Sequence, residues 1–150
     1  MLNLFNSNIA EISISYSNHV KASERVQITR SSHAYEIFLN TFPSLQHREY
    51  FYTIFLNRAN KVLGVYQVSI GGITGTVVDP KIVFQAALKA NACSIILAHN
   101  HPSGGLNPSE ADISLTRKLK QAGEFLEMPV MDHLIISEDG YYSFADEGRI

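Results

Sequence analysis

The chain is 150 residues long, the length of one domain, and 45% hydrophobic with 17% charged residues, a core-forming composition rather than a disordered one. Twelve Lys and Arg against 14 Asp and Glu leave a net charge of −2, without the basic excess of a domain that grips phosphates. A chain of this size buries roughly 68–70% of its unfolded surface unaided, so a metal here would serve chemistry rather than folding.

Residues 1–30 read as an appendage to a domain spanning 31–150. Within it Ile9 to Tyr16 alternates apolar and polar side chains as a strand does, and Ser17 to Thr29 is a polar connector. Ser31-Ser32 supplies a hydroxyl cap for a short helix carrying Tyr35, Phe38, Leu39 and Phe42, which Pro43 ends. Between Glu49 and Asn57 the aromatic and β-branched run is apolar on both parities, which predicts a central strand covered on both faces. The turn Asn57-Arg58-Ala59-Asn60 leads into a second strand over Lys61 to Ser69, and Gly71, Gly72 and Gly75 mark a bend. No Lys-Ser/Thr or Gly-x-Gly-x-x-Gly accompanies these glycines, so they are turn glycines and not a phosphate loop.

Asp79-Pro80 is an N-cap followed by a proline at the first helical position. The helix it opens is predicted to bury Ile82, Val83, Phe84, Ala86, Ala87, Leu88 and Ala90. Ser94 to Ala98 is a short buried strand running straight into His99-Asn100-His101-Pro102-Ser103-Gly104-Gly105. After Pro108 a helix carries Ile113, Leu115, Leu119 and Ala122 and fades between Gly123 and Pro129. Val130 to Ile136 and Tyr141 to Phe144 close the chain as strands about Glu138-Asp139-Gly140. Helices interspersed among strands make the fold class α/β.

His99 and His101 stand two apart where a strand ends, so both imidazoles project to one side and can reach one ion. The Pro-Gly-Gly-Pro reversal returns the chain to a capping-box-like helix start, which brings Asp112 back with the Ser109 hydroxyl on the same face. Two imidazoles and a carboxylate suit Zn2+, and three protein ligands leave a fourth position for a water whose pKa falls to about 7. The general base is then Glu49, at the mouth of a buried strand where an ionised group needs a partner or a task. Arg48 or His47 offers it a plain ion pair instead. Likewise, Ser109 and Asp112 alone are favoured first-turn residues of any helix, and His133 after Asp132 is either a satisfied core histidine or a group that orients a ligand. His19, His33, His47 and Cys93 carry no partner pattern.

The set Glu49, His99-Asn100-His101-Pro102, Ser109 and Asp112 resembles the JAMM (MPN+/JAB) metalloprotease motif. The fuller string Ile95-Ile96-Leu97-Ala98-His99-Asn100-His101-Pro102-Ser103-Gly104, with Asp132-His133 downstream, is similar to the RadC-like branch of that superfamily, over roughly residues 31–150. The resemblance implies a deaminase-like three-layer α/β/α fold with a mixed central sheet. It also implies zinc held by His99, His101 and Asp112, Glu49 as acid/base, and Ser109 as hydrogen-bond donor to a tetrahedral intermediate. The activity so implied is hydrolysis of an amide or isopeptide bond in a protein or peptide substrate. The contrasting expectation is a non-catalytic scaffold or DNA-repair accessory that keeps the fold. A zinc deaminase would need two further thiolates beyond the single cysteine.

That one cysteine excludes an internal disulfide and suits a reducing compartment. With no basic leader before Asn6 and no apolar run near ~18 residues, the expected location is cytoplasmic, without membrane contact. RadC proteins carry a helix-hairpin-helix DNA-binding segment that residues 1–30 are too few and too strand-like to supply. The isolated chain is therefore expected to bind duplex DNA no tighter than about micromolar at physiological salt. Fluorescence anisotropy against labelled duplex checks this.

Overall fold

A computed structural model of the chain describes residues 8–73 and 75–150. The first seven residues, where the predicted appendage begins and where the sequence predicts no leader, and residue 74 lie outside the described residues. The elements are α1 (Ser31–Thr41), β1 (Tyr50–Leu56), β2 (Val62–Ile70), α2 (Pro80–Lys89), β3 (Ser94–Asn100), α3 (Glu110–Phe125), β4 (Val130–Ser137) and β5 (Gly140–Ser143), with a 3-10 turn at Ala22–Glu24. The five strands form one sheet in the order β2-β1-β3-β4-β5. Only β3 and β4 run parallel, so the sheet is mixed. A parallel pair needs a long crossover, and α3 supplies it.

Every residue of β1 and of β3 is buried, as strands covered on both faces require. On one face Ala34, Phe38 and Phe42 of the α1 region pack on Tyr52, Ile54, Leu56, Ile96, Ala98, Leu134 and Ile136. On the other, Val83, Phe84 and Ala87 of α2 and Leu119 of α3 cover Phe51, Phe55, Ile95 and Leu97. Two helical layers about a mixed sheet make the three-layer α/β/α fold. Each fully buried Phe, Leu or Ile contributes about 1.5–3 kcal/mol to holding the layers together. Among the described residues no helix is long and apolar enough to cross a membrane.

Three expectations need correction. Residues 9–16 form no strand, and the apolar side chains of the alternation point largely to solvent, with Ile9 67% and Ile12 85% exposed. Near the start of β2, its outer edge is met by Val26 O, which accepts from Val62 N, and by Tyr16 Oη, which donates to Leu63 O at 2.6 Å. Secondly, Ser31 is not the cap of α1. Arg30 holds the N-cap position without a side-chain bond, and Ser31 Oγ donates to Asp146 Oδ2 at 2.6 Å, tying the helix start to the chain's last turn. Thirdly, the buried face of α2 is narrower than its composition suggests, with Leu88 53% exposed. Asp79 does cap that helix, its carboxylate accepting from Lys81 N with Pro80 at the first position.

α3 ends where Glu127 takes a left-handed conformation (φ 54°) and Met128 N returns to donate to Gly123 O at 2.7 Å. A Cβ at Gly123 would stand 2.5 Å from Met128 O, a backbone atom that cannot swing aside. Alanine's helix propensity, worth about 1 kcal/mol over glycine, is therefore overridden. Gly123→Ala is expected to destabilise the fold by about 1–3 kcal/mol, measured by urea denaturation.

Candidate metal centre

The middle strand β3 carries its last two side chains to opposite faces of the sheet. His99 projects toward the α2/α3 layer, where its ring lies parallel to Phe51 with centroids 6.0 Å apart, and it is 1% exposed. One residue past the strand, His101 brings its Nε2 to 3.0 Å from that of His99. Asp112 comes from the first turn of α3. Its Oδ1 is 3.1 Å from His99 Nε2 and its Oδ2 is 3.2 Å from His101 Nε2. The same Oδ2 accepts from Ser109 N at 2.8 Å while Ser109 Oγ accepts from Asp112 N at 3.1 Å, a reciprocal capping box that fixes the carboxylate as the helix begins. Having accepted that bond, the Ser109 hydroxyl keeps its own proton to donate.

Counting protons tests whether these residues fit a metal ion. His101 Nδ1 lies 2.9 Å from the carbonyl of Gly105, which only accepts, so a neutral His101 carries its proton on Nδ1 and presents the lone pair of Nε2. That lone pair faces a carboxylate oxygen and a second imidazole nitrogen at hydrogen-bond distance. With both rings neutral, acceptors outnumber protons, and such a donor set fits a cation. The ligating atoms of His99, His101 and Asp112 all lie within 4.8 Å of one another, the one such His/Cys/Asp/Glu group found among the described residues. Burial alone would raise the Asp112 pKa, but the imidazoles of His101 and His99, which can donate to the carboxylate once protonated, outweigh it and hold the carboxyl far below its ordinary range. The bond to Asp112 likewise raises His101, against the opposing effect of burial.

Glu49 immediately precedes β1 and is 9% exposed. With His101, Gln46, Ile73, Pro102 and Ser103 it lines a cavity of about 500 Å³. Its backbone is held on both sides: Glu49 N donates to Gly72 O and Glu49 O accepts from Gly71 N. At Gly71 any side chain would collide with the backbone of Gly75 and Thr76, which explains the glycine. Arg48 turns away, its Nε donating to Gly71 O at 2.9 Å, and among the described residues neither Arg48 nor His47 pairs with Glu49. Burial raises the pKa of Glu49, the nearby His99 and His101 pull it down, and Asp112 pushes it up.

Two residues that sequence reasoning passed over complete the surroundings. Asn100, fully buried on the α1 side, accepts from Tyr50 N at 2.8 Å and donates to both Leu45 O and Arg48 O at 2.9 Å. The residue between the two histidines thus grips the chain on either side of Glu49. Its signal was an amide at the end of an otherwise apolar strand, a position where only a side chain with several buried partners is tolerated. Thr116, one turn along α3 from Asp112, stands 2.6 Å from His133 Nδ1, and His133 Nε2 lies 2.8 Å from His99 Nδ1. His133 is fully buried, stacked on Phe144 with centroids 5.0 Å apart, and burial lowers its pKa well below the ordinary value.

A mixed α/β/α domain whose middle strand ends in an imidazole pair facing a helix-borne carboxylate has the form of a JAB-type domain. The RadC-like JAB domain model matches residues 28–149, and the chain belongs to that family. Its relatives include a UPF0758 protein of Flavobacterium johnsoniae, 51% identical over 122 residues, which cover 81% of this chain and 53% of the relative. Similar proteins of the same name occur in Geotalea uraniireducens, 39% identical over 83% of this chain and 54% of the relative, and in Salinibacter ruber, 40% identical over 85% and 54%. The chain spans about half the length of these curated relatives.

Replacing Asn100 by aspartate keeps the shape but sets a carboxylate against the carbonyls of Leu45 and Arg48. Asn100→Asp is expected to lose roughly 2–4 kcal/mol of stability at pH 8. The new carboxyl has its folded pKa raised above the unfolded one, so this loss shrinks as pH falls and the group becomes neutral. Urea denaturation at pH 5 and pH 8 checks both the size and the sign.

Proposed function

We propose that this domain is a zinc-dependent hydrolase that cleaves an amide or isopeptide bond in a protein or peptide substrate. The observation that carries the reading is the convergence of His99, His101 and Asp112 beside a buried Glu49 that pairs with no Lys or Arg among the described residues. Two imidazoles and one carboxylate form the open-site donor set of catalytic zinc. The two imidazole nitrogens stand 3.0 Å apart and each faces its own oxygen of the carboxylate, at 3.1 and 3.2 Å, so one ion could reach all three residues. His99, His101 and Asp112 would hold the ion. When bound, it supplies Lewis acidity, lowering the pKa of a water toward 7 and polarising a carbonyl.

The rest of the chemistry belongs to the chain. Glu49 takes a proton from the attacking water and returns it to the departing amine, and burial, which raises its proton affinity, suits it to both steps. Ser109, whose hydroxyl proton remains available, donates to the oxygen on which charge develops. The cavity shared by Glu49 and His101 is where the scissile bond would lie. A core of this size closes without help from an ion, so chelation is expected to remove activity and to leave far-UV circular dichroism unchanged.

Glu49→Gln is expected to keep the zinc stoichiometry of the wild type and lose about 10²–10⁴-fold in turnover. A His99→Ala/His101→Ala double variant is expected to lose the metal itself. Metal analysis of the purified proteins, with hydrolysis of quenched peptides and of lysine-linked isopeptides, checks both. Equal zinc in the wild type and the double variant, or wild-type turnover by Glu49→Gln, would overturn the reading.

A further inference from the structure

We infer that Thr116 and His133 are positioning residues that set which ring nitrogen of His99 carries its proton, so that the other is held bare toward the metal position. The inference rests on the metal-centre reading and follows from counting hydrogens along one buried chain of bonds. Thr116 Oγ1 donates to the carbonyl of Asp112 at 2.6 Å, and a carbonyl can only accept, so the single hydroxyl proton is committed there. At its second contact Thr116 must therefore accept, and the partner, 2.6 Å away, is His133 Nδ1. The proton of His133 sits on Nδ1.

Both ring nitrogens of His133 are paired with uncharged groups and the residue is fully buried, so the ring is neutral and its Nε2 is an acceptor. That acceptor, 2.8 Å from His99 Nδ1, draws the His99 proton to Nδ1. His99 Nε2 is left as a lone pair, 3.0 Å from His101 Nε2 and 3.1 Å from Asp112 Oδ1.

The opposite arrangement, with a proton on His133 Nε2, would place two acceptors face to face at Thr116 and put a hydrogen where His99 must ligate. A second route fixes His101 through Gly105 O, so each imidazole has its own device. The Thr116 route also loops back on itself. The carbonyl at its start belongs to Asp112, so the residue that contributes the carboxylate also anchors the hydroxyl that orients the opposing imidazole. A hydrogen-bond partner behind a ligating imidazole is typically worth 10–100-fold in metal affinity.

The test is two-bond proton–nitrogen correlation spectroscopy of the imidazoles in the metal-free full chain, together with zinc affinity by chelator competition for the wild type, Thr116→Ser and Thr116→Val. The wild type is expected to show His133 protonated on Nδ1. Serine, which keeps the hydroxyl, is expected to stay within about threefold of wild-type affinity. Valine is expected to lose about 10–100-fold and to move His133 toward the Nε2-protonated form, whatever it does to the melting temperature. A wild-type His133 protonated on Nε2, or equal zinc affinities for serine and valine, would overturn the inference. If the wild-type chain takes up no zinc, the hydrolase reading falls, while the tautomer of His133 in the metal-free protein still decides this one.

Discussion

The nitrogens of His99 and His101 and the oxygens of Asp112 face one another at 3.0–3.2 Å, and the fold holds them there. Three such side chains left to themselves in water would separate. They cannot here, because His99 belongs to a strand buried on both faces, Asp112 is clamped by its own capping box, and His101 is tied to Gly105. Packing thus fixes three groups at distances that suit a shared cation.

That arrangement reaches back into the sheet topology. The parallel β3–β4 pair obliges the chain to cross over through α3, and the crossover starts at the carboxyl end of β3, so the helix N-terminus falls beside the strand end without further design. The capping box at that point serves two ends with one side chain. Asp112 Oδ2 satisfies a backbone N–H of the first turn and simultaneously faces His101. Local helix chemistry and site chemistry are therefore the same interaction seen from two sides.

Much of this was legible in the residues because it depends on short-range rules. The apolar run after Glu49, the Asp79-Pro80 cap and the His-x-His spacing each report on their neighbours in sequence, and the elements they imply are present with boundaries displaced by a residue or two. What escaped reading depended on partners far along the chain. The alternation of Ile9 to Tyr16 lacks a ladder because the approach to β2 is made by Tyr16's hydroxyl and by residues 26–28 instead, and Ser31 gives up its capping role for Asp146. Asn100 escaped for the same reason, its partners Leu45, Arg48 and Tyr50 lying about half a domain upstream. His133 could be read two ways until Thr116 was seen against it.

The candidate ligands and the residues behind them, His99, His101, Asp112, Thr116 and His133, all fall between positions 99 and 133, inside one strand–helix–strand crossover. Glu49 arrives from the other hairpin, held by Asn100 and the glycine bend. On the proposed reading the ion-holding half and the proton-moving half come from different segments, joined by the β1–β3 pairing and by Asn100. Drift in the first hairpin can silence such a domain while its crossover goes on holding an ion, and a descendant of that kind would keep every ligand intact and have no chemistry left to perform.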